Sequence, residues 1–260
     1  MVSSEVTSPP AVEPVWRDLA TRAIDHAPGR ASGRRRTDVG WKILAHRSVQ
    51  IASGLHAVGV RHGDRVSLIV EPGPERTAVA YACWRLGAVV VTTAPELTLR
   101  QQAQAHAVAR PEVVVADSRG LVLTRGLRSP RLRIATERVP VLDELALGAR
   151  YHLADLVTRR LLLSLPLPPA PDDDAALVFA GTGEPVGVHY TQSDLGRLRE
   201  IAADRASVAA LADGSVRRSR PAVERRDATV GATSTASAFG SGARAGSLLV
   251  AAALVAPILR

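Results

Sequence analysis

The stretch RVSLIVEPGPERTAVAYACWRLGAVVVTT, residues 65–93, reads as strand, helix and strand in immediate succession. Arg65 to Val70 reads as a buried strand, apolar from Val66 onward apart from Ser67. Pro72-Gly73-Pro74 then opens a helix, because proline's missing N–H costs nothing in a first turn. Val79, Cys83 and Leu86 recur on one helical face, and Gly87 ends the segment. Ala88 to Thr93 is rich in β-branched residues again. Two strands joined through a helix with short polar turns form a crossover, and crossovers build parallel sheets.

The same alternation continues on both sides. Upstream, Trp16, Leu19, Ala20, Ala23 and Ile24 have helical spacing up to Pro28-Gly29, and an Arg- and Gly-rich loop follows. Leu44, Ser48, Ile51, Ala52, Leu55 and Val58 write a second helix, closed by Gly59. Downstream, Thr98 to Ala109 reads as a helix and Val113 to Val115 as a strand, with a further strand at Leu132 to Ala135. Tyr151 to Leu165 reads as helical, and Pro166, Pro168, Pro169 and Pro171 make a stiff connector. Ala175 to Phe179 is strand-like, Gly181 to Gly187 a glycine loop, and Val188 to Thr191 extended. Ser193 or Asp194 is placed to cap a last helix running to about Ala210. The expected fold class is α/β, a largely parallel sheet flanked by helices.

Composition narrows the class of protein. The 260 residues carry a net charge of +8, almost all of it from arginine, since Lys42 is the sole lysine. Clusters at Arg34–Arg36, Arg217, Arg218, Arg220, Arg225 and Arg226 are read as solvated loops, because no aromatic residues interleave to stack bases. Nucleic acid is not the expected partner. Cys83 stands alone, so an intrachain disulfide is excluded, and a reducing, cytoplasmic setting is expected. Leu248 to Leu259 is apolar but falls short of the roughly 20 residues a bilayer span needs. Ala212 to Ser247 lacks any strand or helix period and reads as disordered. The expected organisation is a flexible start over residues 1–10, a domain over 11–210 and a low-complexity tail over 211–260.

The turn after Phe179 carries the functional reading. It runs Ala180-Gly181-Thr182-Gly183-Glu184-Pro185-Val186-Gly187, and glycines at a strand end let backbone N–H groups approach anionic oxygens. It lacks the lysine ending of a Walker loop. Cys83 on an apolar helical face is a buried small residue rather than a nucleophile. His46, His56, His62 and His106 have no cysteine or carboxylate at ligand spacing, so no metal site is expected. Asp172 to Asp174 reads as a solvated linker. His189 and Ser193, near in sequence, lack a third orienting group.

Gly40-Trp41 through Leu55, then Gly59 to Val66, then Trp84 to Val91 with Ala94 to Leu97, resemble successive blocks of the AMP-dependent synthetase and ligase superfamily. The glycine turn falls where that family places its phosphate loop, and the likeness covers roughly Val12 to Leu195. The blocks look most like fatty-acyl or olefin-pathway members. The resemblance implies the N-terminal part of an adenylate-forming enzyme, with ATP and Mg2+ as cofactors and a small-molecule carboxylate as substrate. In such enzymes the carboxylate attacks the α-phosphate of ATP, and a thiol then usually displaces AMP.

The family's loop reads Thr-Ser-Gly-Thr-Thr-Gly-x-Pro-Lys-Gly, and Thr182, Gly183, Pro185 and Gly187 match its end as a remnant phosphate loop. About two residues and the serine are missing, Val186 stands where the family has lysine, and Gln192 where a histidine is common. The family's later motifs and its mobile C-terminal domain have no counterpart, so no catalytic residue is assigned. Three readings follow: a truncated synthetase without turnover of its own, half of a split ligase needing a second chain, or a basic adaptor binding anionic lipid or nucleic acid through its tail.

Overall fold

The computed structural model describes residues 14–17, 35–158, 165–181, 184–203, 248, 250 and 251. A 3-10 turn at Val15–Arg17 precedes helix α1 (Arg35–Ala57), strand β1 (Arg65–Ile69) and helix α2 (Pro74–Arg85). Then come β2 (Val89–Thr93), α3 (Leu99–Ala109), β3 (Val113–Ala116), α4 (Ser118–Leu123) and β4 (Leu132–Ala135). The chain continues through α5 (Val141–Leu147), β5 (Tyr151–His152), α6 (Leu153–Thr158), β6 (Asp174–Ala180), β7 (Val186–Thr191) and α7 (Gln192–Ala203).

The strands form one sheet in the order β5-β4-β3-β1-β2-β6-β7. Every neighbouring pair is parallel except β6 with β7. Parallel strands covered on both faces need no polar alternation. Hence Val113 to Val115 and Val89 to Val91 are all buried. Ser67 on β1 bonds His106 on α3, and a second core cluster unites Leu121 of α4 with Val114, Ala116 and Ala135. The opposite face packs α1 and α2 over Val66, Leu68 and Val90 in the main core. With few aromatic rings, this core is assembled from many Val, Ala and Leu contacts, each fully buried Val or Leu contributing about 1.5–3 kcal/mol.

Several expectations change on contact with the structure. Arg35 and Arg36, assigned to a loop, begin α1, because arginine is a good helix former and the segment continues unbroken into the apolar stripe. Tyr151 and His152 do not start a helix but pair with Ile134 and Ala135 as an edge strand, and helix follows only from Leu153. Thr191, not Ser193 or Asp194, caps α7: Asp194 N–H donates to Thr191 Oγ1 at 3.1 Å while Asp194 Oδ2 accepts from Thr191 N–H at 3.1 Å. The helices read over residues 19–24 and 204–210 and the disorder read over Ala212–Ser247 lie outside the described residues. Of the apolar terminal segment, Val250 and Ala251 are helical and buried in the main core, with Leu248 packed against it. Among the described residues no helix is long and apolar enough to cross a membrane.

Burial of one titratable side chain makes this fold sensitive to acid. His106 is 1% exposed, its Nδ1 2.9 Å from Ser67 Oγ, and burial pulls its pKa from 6.5 down to about 4. Between those values the unfolded chain holds a proton that the folded chain does not. Stability contributed by the neutral ring is therefore complete above about pH 6.5 and is lost as pH falls towards about 4. The loss amounts to roughly 3 kcal/mol. Urea denaturation at neutral pH and near pH 4.5 should show it, and His106→Gln should remove most of that pH dependence. Equal acid sensitivity in both proteins would contradict the assignment.

Candidate functional site

The β6–β7 hairpin is held from beneath by α2. Trp84 Nε1 donates to Ala175 O at 3.0 Å, and Gln192 Nε2 donates to Trp84 O at 3.3 Å, so helix, strand and the start of α7 share one anchor. At the other end of β6, Ala94 N–H donates to Phe179 O at 2.8 Å, which fixes the carboxyl end of the strand against the turn after β2. Ala180 pairs with Val186, so the connection is five residues, Gly181 to Pro185, and β7 begins earlier than the extended run expected from Val188.

The glycines of the turn have separate reasons. Gly181 has φ 132°, a conformation that side chains other than glycine's rarely adopt. Gly187 lies inside β7 opposite Phe179, where an added Cβ would meet Leu177 Cδ1 and Phe179 Cε1 at 3.0 Å. It therefore serves packing between strands as well as matching the loop motif. Pro185 precedes the strand, while Thr182 and Gly183 lie outside the described residues. Val186 is half-buried and neutral, and Glu184 adds a negative charge to the turn.

Gln192 is not part of this turn. Because β7 runs antiparallel to β6, Gln192 lies beyond the opposite end of a six-residue strand, roughly 20 Å from the hairpin mouth. It is fully buried, with its amide N–H on the last turn of α2 and its Oε1 without a partner. Gln192 therefore packs against α2 instead of lining the hairpin mouth.

A second polar group lies at the amino end of the sheet. His62, Gly63, Arg65, Asp173, Asp174 and His189 line a cleft of about 260 Å³. His62 Nε2 is 3.0 Å from Asp173 Oδ2, and His189 Nδ1 is 3.5 Å from Asp174 Oδ2. The hydrogen bond from His62 holds the Asp173 carboxyl below its ordinary range. Two of the three consecutive aspartates are thus engaged and not simply a solvated linker. Both pairs are half-exposed, where such contacts contribute little. Among the described residues no three His, Cys, Asp or Glu side chains are grouped to hold a metal ion.

The remaining candidates are closed to substrate. Cys83 is buried, and burial pushes its thiol up to about 12, so it carries no thiolate at neutral pH. The Ser67–His106 pair is sealed between β1 and α3. Ser193 Oγ bonds Thr191 Oγ1 at 3.1 Å, and His189 faces Asp174, so the two do not form a nucleophile–base pair.

The residues present fit only part of an ATP–Mg2+ site. A glycine turn at a strand end suits phosphate oxygens. The one acidic residue of the turn, Glu184, gives no ligand set for Mg2+, which binds through carboxylates together with substrate phosphates.

The comparisons agree with this geometry. The chain is 31% identical over 171 residues to an olefin β-lactone synthetase of Xanthomonas campestris pv. campestris, covering 62% of this chain and 29% of that protein. In fold it is similar to an anthranilate CoA ligase in complex with anthranoyl-AMP, with a TM-score of 0.59 at 16% identity over 75% of this chain and 38% of the ligase. The adenylation domain of a carboxylate reductase from Mycobacterium chelonae gives 0.57 at 19% identity, over 74% and 36%. At such identities the likeness is one of fold. This chain spans well under half the length of each of these proteins. The AMP-binding enzyme family model matches residues 20–257, nearly the whole sequence including the arginine-rich segment. A parallel sheet ending in a glycine hairpin, in the family's order of blocks, makes this chain a member of the AMP-binding enzyme family that corresponds to an N-terminal portion of the adenylate-forming ligases.

Proposed function

We propose that this chain is the N-terminal scaffold of a fatty-acyl-activating ligase, holding a weakened phosphate site in a cytoplasmic protein without turnover of its own. Val186 carries the reading. It begins β7 where the family's loop has lysine, and its half-buried aliphatic side chain offers no charge to a polyphosphate. A charge-assisted hydrogen bond contributes about 1.5–3 kcal/mol. Its loss weakens phosphate binding roughly tenfold to a hundredfold.

The split-ligase reading draws on a separate observation. Among the described residues β7 is an edge of the sheet, a position from which a further strand could extend it. A second chain carrying the missing half would extend the sheet there. The adaptor reading rests on Arg217–Arg226, outside the described residues, and draws no support from the fold.

The purified chain, given Mg–ATP and a panel of fatty acids, should release no pyrophosphate above the enzyme-free rate. Turnover by the isolated chain would overturn the proposal, and turnover only on adding a complementary ligase chain would favour the split reading. Val186→Lys combined with restoration of the two missing loop residues should tighten ATP binding roughly tenfold or more by equilibrium titration. No gain would mean that the hairpin does not face nucleotide phosphates.

A further inference from the structure

Helices α3, α4 and α5 share one face of the sheet. Ser67 on β1 bonds His106 of α3, while Leu121 of α4 and Leu147 of α5 join the cluster built on Val114, Ala116 and Ala135. In a parallel crossover each helix returns from the carboxyl ends of the strands to their amino ends. The carboxyl ends of α3, α4 and α5 therefore reach the amino edge of the sheet, where β1, β3, β4 and β5 begin side by side, about 5 Å from strand to strand. The glycine hairpin leaves β6 at the opposite edge.

Exposed arginines collect along this amino edge. Arg110 follows α3, Arg125 and Arg128 lie between α4 and β4, and Arg150 immediately precedes β5. Among the described residues none of the four has an acidic partner. The neighbouring carboxylates are already engaged: Asp64 by Arg131 at 2.5 Å, Glu112 by the Arg65 N–H at 2.7 Å, and Glu144 by His152 at 3.1 Å. Arg133 fixes the turn that displays two of the arginines, its Nη2 donating to Thr124 O at 2.9 Å and to Leu127 O at 3.0 Å. Arg110 ends α3 at φ 48°, in the left-handed region where glycine fits without strain, so the backbone does not account for an arginine there. Beside these charges the last turns of the three helices expose Val108, Val122 and Leu145, at 62%, 61% and 85%.

We propose that this amino edge is a docking surface for an anionic lipid bilayer, with the arginines on the headgroups and the three aliphatic side chains at the acyl boundary. Unpaired cations at a surface favour any polyanion. Apolar side chains set among them favour a bilayer, because a soluble polyanion would leave those side chains in water. No exposed aromatic side chain stands among the four arginines for a nucleic-acid base to stack on. The surface is separate from the arginine clusters at 217–226 and owes nothing to them.

Co-sedimentation of the purified full chain with vesicles tests it, comparing phosphatidylcholine alone with an equal mixture of phosphatidylcholine and phosphatidylglycerol. Binding should be about tenfold tighter or more on the anionic vesicles, and should fall steeply between about 0.05 M and 0.5 M salt. Arg125→Gln with Arg128→Gln should weaken it about tenfold or more, since each arginine near such a surface contributes roughly fivefold. Val108→Asn with Val122→Asn should weaken it severalfold. All four side chains are exposed, so thermal midpoints should stay unchanged. Replacing Arg217, Arg218, Arg220, Arg225 and Arg226 by glutamine should leave the response to both pairs of substitutions in place. Binding that is lost only in this last variant, or that is equal on the two kinds of vesicle, overturns the proposal. Binding indifferent to the valine substitutions and competed fully by polyglutamate would point to a soluble acidic partner and overturns it as well.

Discussion

The pairing of β2 with β6 holds this fold together. It joins residues on either side of a long excursion through β3, β4 and β5, with Val90 to Thr93 aligned on Ala176 to Phe179. Closing so long a loop costs entropy that no local contact repays. The compensation comes from Trp84, fully buried on α2, whose indole N–H reaches Ala175 across 91 positions while its ring packs edge-on against Tyr81. One tryptophan thus registers the strand that carries the glycine hairpin. Without that contact the hairpin would lose its anchor to α2.

Strands β1, β2, β3 and β4 were legible in the sequence because each is a short apolar run bounded by turn residues, and a doubly covered sheet asks for nothing more. Their helices were legible for a related reason: Pro74 and Gly87 bracket α2, and Thr98 begins α3 with Gln101 completing a capping box. Legibility failed where tertiary contact overrides local preference. Tyr151 and His152 continue smoothly into a helical pattern, yet the open edge of β4 takes them as a strand. Gly187 looked like the last residue of a loop. It is a strand residue whose missing side chain leaves room for Leu177 and Phe179.

The candidate site was legible in type and only partly in membership. Glycine spacing marked the turn between Ala180 and Val186. Gln192 could be counted among the losses only while its position was unknown, since one residue of linear separation from β7 conceals a full strand length in space. The arginines of the amino edge gave no signal as a group. Arg110, Arg125 and Arg150 stand in separate turns of the chain and gather only because the parallel order of β3, β4 and β5 sets their strand starts side by side. The terminal apolar segment shows the same limit, for too short a span can still be buried in a core, as Val250 and Ala251 are.

We propose that this scaffold keeps the family's sheet and glycine turn while the charge that would grip a nucleotide tail has left the loop, since Val186 stands where the family has lysine. Calorimetric titration of Mg–ATP into the purified chain addresses it most directly. The account predicts heats that do not saturate below about millimolar nucleotide, the regime of roughly 4 kcal/mol of binding free energy. Saturable capture at micromolar Mg–ATP would contradict it.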